Sequence, residues 1–130
     1  MDTFKKAKDI ALKKLIFIDG LDSAMNAAQL MKENNVKALI IKKRNNEDAN
    51  GFLTISDIIR GVIIPDKSLD EVSVYEIMTK PVFSIPASLN AKYVPRLMQN
   101  YNIRIAPVEE NGEFVGLIDF AQCLFNVLDN

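Results

Sequence analysis

The chain has 130 residues, 48% hydrophobic and 25% charged, an ordinary composition for a globular protein long enough to form a core without disulfide or metal. A net charge of −1 excludes a whole-molecule attraction to nucleic acid or anionic membrane. One cysteine excludes an internal disulfide, and the absence of histidine removes the commonest general base and zinc ligand at neutral pH.

Residues 1–14 carry Lys5, Lys6, Lys8, Lys13 and Lys14 around an apolar stripe of Phe4, Ala7 and Ala11 continued by Leu15, which predicts a basic amphipathic helix whose contact with membrane or nucleic acid the net charge argues against. The apolar run Leu15–Ile18 is too short for a leader core and reads as a strand. Ala24, Ala27, Ala28 and Met31 fall at helical spacing behind a cap at Asp22 or Ser23. Two β-type runs follow, 38–42 and 52–54, joined by the polar loop 44–50. Ile55, Ile58, Ile59 and Val62 then predict a helix with one apolar face.

Residues 65–71 are the only linker-like stretch. Beyond it the order recurs: a strand at 82–85, a helix over about 89–100 capped by Ser88 or Asn90, strands at 105–108 and 114–118 around an Asn111-Gly112 turn, and a helix carrying Phe120, Cys123, Leu124 and Val127. Pro95 lies inside the predicted helix, where it would cost roughly 3 kcal/mol unless the helix bends or starts late.

The recurrence is an internal repeat. Met31 aligns with Met98 at an offset of 67, together with Leu30 on Leu97, Asn35 on Asn102, Val36 on Ile103 and Lys37 on Arg104. Gly51 aligns with Gly116 at an offset of 65, so the first copy has the longer connecting loop. The expected fold is therefore α+β: two pseudo-symmetric strand-helix-strand-strand-helix repeats, packed through their sheets, with 1–68 holding the N-terminal helix and the first repeat and 69–130 the second.

The stretch from Val74 to Val82, with Met78-Thr79 ahead of Pro81-Val82, resembles the start of a CBS domain, the repeat named after cystathionine β-synthase. Ser84, Pro86, Leu97-Met98, Ala106-Pro107-Val108 and Gly116-Leu117-Ile118 follow in that family's order, and the first copy repeats the layout from Leu15 to about Ile64. The resemblance implies a non-catalytic regulatory module. Its clefts, between paired repeats, take adenosine compounds such as AMP, ATP or S-adenosylmethionine as regulatory ligands, with no cofactor required.

The family's binding signature, Gly-apolar-x-Thr/Ser-x-x-Asp, is matched by Gly51-Phe-Leu-Thr54-Ile-Ser56-Asp57. On that resemblance Thr54 donates to phosphate, Asp57 accepts from the ribose hydroxyls, Lys37 and Arg104 reach the phosphates, Ser56 lines the helix start, and Phe17, Ile18 and Ala38 neighbour the adenine. Plainer readings stand beside these. Thr54 and Ser56 would cap a helix with Asp57 in its first turn, Lys37 and Arg104 would be solvated charges, and the apolar three would be core.

The second copy departs from the signature. Asp119 replaces the hydroxyl and Gln122 the carboxylate, so one occupied site is expected and Asp119 reads as a plain N-cap. The acidic pairs Glu47-Asp48, Asp70-Glu71 and Glu109-Glu110 read as solvated loops and turns, and Cys123 as a small core residue. No phosphate loop, nucleophile elbow or metal-binding cluster is present, so neither a catalytic nor a metal-ligating set is predicted. The remaining expectations are a cytoplasmic setting, homodimerisation, a separate effector protein of unspecified kind, and no nucleic-acid or membrane partner. The competing expectation is an interaction scaffold with vestigial clefts.

Overall fold

The computed structural model describes residues 4–80 and 82–129. Its elements run α1 (Ala7–Ile10), β1 (Phe17–Ile18), α2 (Ala24–Asn34), β2 (Ala38–Ile41), β3 (Gly51–Thr54), α3 (Ile55–Ile58), α4 (Val74–Ile77), β4 (Ile85–Pro86), α5 (Val94–Asn100), β5 (Ile105–Glu110), β6 (Glu113–Asp119) and α6 (Phe120–Leu128). A π-helical turn, Ile59–Ile63, continues α3, and a 3₁₀ turn, Ala91–Tyr93, leads into α5.

Two three-stranded sheets have the orders β1-β2-β3 and β4-β5-β6, each with a parallel and then an antiparallel pair. Their registers confirm the repeat. Ile18 pairs with Ile41 and Ile85 with Val108; Ala38 pairs with Thr54 and Ile105 with Asp119. The α+β class and the two repeats are as the sequence predicts.

Local chemistry explains the element ends. Ser23 Oγ accepts from Asn26 N at 3.0 Å to start α2, and Asn90 Oδ1 accepts from Lys92 N at 3.0 Å in the second copy. Asn35 and Asn102, aligned by the repeat, both end their helices at φ +54°, a left-handed conformation that asparagine tolerates better than most residues. Asn111 and Gly112, at φ +55° and +83°, give the β5–β6 hairpin a turn whose twist matches its strands. Pro95 sits in the first turn of α5, where its missing N–H has no helical partner to lose; of the two outcomes foreseen, the helix starts late.

The chain divides into two compact units, one of residues 16–82 and the other of the described parts of 1–15 and 83–130. This partition differs from a boundary at 68/69, because each repeat's leading segment packs in the other repeat's unit. Ala7 and Ala11 join Ile85, Val94, Met98, Val108 and Ile118 in one core. Val72 and Val74, with Met78 at its edge, join Ile18, Met31, Leu39, Ile41, Leu53 and Val62 in the other. Backbone bridges repeat the exchange: Leu12 with Leu117 and Thr79 with Phe52, then Lys6 with Asn90 and Ser73 with Ser23. The linker is part of this packing, since Met25 N donates to Leu69 O at 3.1 Å and Ala24 N to Val72 O at 2.8 Å.

The exchange accounts for both repeat glycines. A Cβ on Gly116 would stand 2.7 Å from Ala11 Cβ and 2.9 Å from Leu12 O, and one on Gly51 would stand 2.7 Å from Met78 Sδ. Each glycine clears the path of a leading segment, whatever else its motif does.

The apolar face predicted for each closing helix is split. Ile58, Val62 and Cys123 are buried, whereas Ile55, Ile59 and Ile63 in one unit and Phe120, Leu124 and Leu128 in the other are exposed. These exposed residues recur at steps of four, so they form a second stripe on the same helix. Glu109 and Glu110 also differ from expectation: they belong to β5 rather than to a turn.

Candidate functional site

β3 ends at Thr54, and α3 begins at the next residue. Thr54 Oγ1 accepts from Asp57 N at 3.2 Å, while Asp57 Oδ2 accepts from Thr54 N at 2.8 Å. The pair is a reciprocal capping box, which satisfies two backbone donors at a helix start. The cap uses the Thr54 hydroxyl only as an acceptor, so its proton can still be donated. Asp57 Oδ1 holds the exposed Arg60 guanidinium at 3.3 Å.

Register places the other predicted residues. Ala38 lies opposite Thr54, and Phe17 lies beside Ile40, so Phe17, Ala38 and Thr54 share one sheet face. Phe17 is 45% exposed and Ala38 buried. Ile18 points the other way into the core with Leu39 and Leu53, at 3% exposure, because successive strand residues alternate. It is a core residue, the plainer of the two readings its sequence allows. Ser56 is exposed on the first turn of α3. Lys37 is exposed immediately before β2, with its carbonyl accepting from Ile55 N at 3.2 Å. Arg104 is exposed and belongs to the other unit. The first unit thus gathers Thr54, Ser56, Asp57, Ala38 and Lys37 around one end of its sheet.

The second copy carries the same box with altered chemistry. Asp119 Oδ1 accepts from Ala121 N at 2.8 Å, and Gln122 Oε1 accepts from Asp119 N at 2.8 Å. Asp119 is the N-cap of α6, as expected from its sequence. Its charge also acts on Cys123, whose thiol is pushed above its ordinary value by burial first and by Asp119 second.

Sequence reasoning missed a groove of about 970 Å³ at the opposite end of the first unit's sheet, and none of the eight predicted ligand residues lines it. Its walls include Gly20, Lys42, Lys43, Tyr75 and Lys80. The run Lys42-Lys43-Arg44 was its one mark in the sequence. Asp48, read as a solvated loop acid, is instead the brace of this rim. It takes Lys80 Nζ and Arg44 Nε, the latter at 3.2 Å, and accepts from Arg44 N at 3.0 Å. These contacts, Lys80 foremost, hold its carboxyl well below the usual carboxylate range. Among the described residues no three potential metal ligands cluster, and no helix is long and apolar enough to cross a membrane.

The family profile of the CBS domain matches residues 7–64 and 74–128. CBS domain-containing protein CBSCBSPB1 of Arabidopsis thaliana is 30% identical over 125 residues, 95% of this chain but 23% of that protein. The chain thus spans under a quarter of the length of that relative. Uncharacterized protein YlbB of Bacillus subtilis is 28% identical over 114 residues, covering 87% of this chain and 76% of its own. Among solved structures, a hexameric CBS-CP12 protein from bloom-forming cyanobacteria superposes with a TM-score of 0.92 at 30% identity, over 100% of this chain and 77% of that one. An uncharacterized conserved protein from Pyrococcus horikoshii gives 0.85 at 31% identity, over 98% and 95%. With both profile matches falling on the two structural repeats and their leading segments, this chain belongs to the CBS domain family as a tandem pair of CBS domains.

Proposed function

We propose that this CBS pair is a non-catalytic regulatory module that binds an adenosine-containing ligand of the AMP, ATP or S-adenosylmethionine class through Thr54 and Asp57. The observation that carries this reading is the state of the Thr54 hydroxyl. It accepts the cap hydrogen bond and keeps its own proton for a phosphate or ribose oxygen. Asp57 stands one turn in, its outer oxygen held only by an exposed arginine that a ligand hydroxyl can displace. Lys37 supplies positive charge at the same strand end. Ligand acts by favouring the arrangement it binds more tightly, and a separate effector protein reads the change. The altered Asp119–Gln122 box supports a single site per chain. Calorimetric titration with the three compounds is the test. Saturable heat weakened at least about tenfold, or 1.4 kcal/mol, by Asp57→Ala supports the reading, and silence with all three rejects it.

A second reading, an interaction scaffold, is favoured by the exposed stripes Ile55-Ile59-Ile63 and Phe120-Leu124-Leu128, which occupy the same positions in both repeats. Soluble proteins seldom leave such rows uncovered unless a partner meets them. Self-association through them, to a homodimer or higher, predicts that Ile59→Asp with Leu124→Asp lowers the mass measured by light scattering to that of one chain. A mass unaffected by nucleotide would assign the association to the scaffold role alone.

A further inference from the structure

The groove at the far end of the first sheet has a different chemistry from the Thr54 end. β2 and β3 pair from Ala38–Thr54 at one end to Ile41–Gly51 at the other, so the two ends lie about 10 Å apart at strand rise. Four cations, Lys42, Lys43, Arg44 and Lys80, face the groove with two carboxylates, Asp19 and Asp48. Asp48 is paired with cations, whereas Asp19 keeps its charge, so the four cations exceed the two carboxylates by two. Asp19 Oδ1 accepts from Leu21 N at 2.9 Å within its own turn, and Asp48 braces Arg44 and Lys80. The side chains of Lys42 and Lys43 are exposed and have no hydrogen-bond or ion-pair partner among the described residues. Beside these charges lie exposed apolar surfaces: Leu21, and Tyr75 on α4, whose backbone N–H is tied to Gly20 O at 2.9 Å.

The repeat supplies an internal control. At the offset of 67, Lys42 and Lys43 correspond to Glu109 and Glu110, so the charge at this strand end is inverted between copies of one fold. The fold itself therefore does not call for cations here. In the second unit Glu110 is neutralised by Lys8 at 3.0 Å, and Ser84 Oγ donates to Glu109 at 3.1 Å. Among the described residues of the first unit, no ion pair neutralises Lys42 or Lys43 in this way.

We propose that this groove is a second ligand site, separate from the adenosine site, that takes a small organic phosphate ester. Lys42 and Lys43 hold the phosphate as point charges, and the rim braced by Asp48 adds the Arg44 and Lys80 cations. The ester's apolar body lies against Tyr75 and Leu21. The groove's size falls in the range of small-molecule clefts rather than of macromolecular surfaces.

The probes are phenyl phosphate and inorganic phosphate, titrated by calorimetry into the full chain and into K42E/K43E, which installs the second copy's own residues. K42Q/K43Q removes the charge without reversing it, and D57A reports on the other end of the sheet. Saturable phenyl phosphate binding at millimolar concentration, weakened at least about tenfold in both double variants and unchanged in D57A, is the expected result. No saturable binding, or binding indifferent to either double variant, overturns the site. Loss of binding in D57A overturns its independence, and inorganic phosphate binding as tightly as phenyl phosphate overturns the ester.

Discussion

Asp57 Oδ2 lies 2.8 Å from the backbone nitrogen of Thr54, and Thr54 Oγ1 lies 3.2 Å from that of Asp57, so the two residues with the strongest ligand signature also start the helix that carries them. Their substitution therefore has two separable effects. Asp57→Ala is expected to lower stability by about 0.5–2 kcal/mol without any ligand present, whereas Asp57→Asn keeps an acceptor for Thr54 N and costs less. Urea titration of both variants, beside calorimetry with AMP, separates the roles. A full loss of binding in Asp57→Asn with near-native stability assigns the carboxylate to the ligand.

The glycines predict an asymmetry. Gly116→Ala drives a methyl into the backbone carbonyl of Leu12, which the bridge to Leu117 fixes in place. A loss of about 1–3 kcal/mol is expected. Gly51→Ala meets chiefly the end of Met78, a side chain with several rotatable bonds, and costs less. Equal losses in denaturant melts would contradict this account of the leading segments.

The Asp48 brace has a pH signature. Its carboxyl has an ordinary value of 3.8 in an unfolded chain and a lower one in the folded protein, so folding is favoured while it is ionised. That stabilisation is complete above the unfolded value and erodes as the pH falls below it toward the folded value. Asp48→Asn is expected to melt earlier than the parent at pH 7, with the gap narrowing by pH 3. A gap independent of pH rules the brace out.

Pro95→Ala tests the late start of α5. A proline in mid-helix would be relieved by alanine to the extent of about 3 kcal/mol, but in the first turn the exchange mainly frees the unfolded chain and should cost about 0.4–1 kcal/mol. The sign of the change in melting temperature decides between the two.

Much of this was legible in the residues because periodicity and self-similarity report local structure directly. Asn35 and Asn102 were matched as repeat positions, Asn111-Gly112 marked a hairpin, and Ala38 and Thr54 lay in adjacent strands. Other features depend on partners distant in the chain. Nothing around Ala7 or Val74 states which core each will enter, since an alanine or valine fits either. Ile18 stood open between adenine neighbour and core residue because family likeness locates its strand but not its face, which register alone decides. The Asp48–Lys80 contact joins residues 32 positions apart, and no spacing rule foretells it. A cap by Thr54 and Ser56 with Asp57 in the first turn was foreseen as an alternative; the geometry puts Thr54 in that role, with Asp57 rather than Ser56 completing the cap.

Because the polypeptide passes from one unit to the other near residue 15 and returns near residue 82, the linker-like stretch 65–71 begins and ends within a single unit. A protease that nicks this stretch creates two fragments, each supplying strands or helices to both cores. Neither piece can leave without stripping a hydrophobic cluster, so the nicked protein should migrate as one species under native conditions and fall apart only in denaturant.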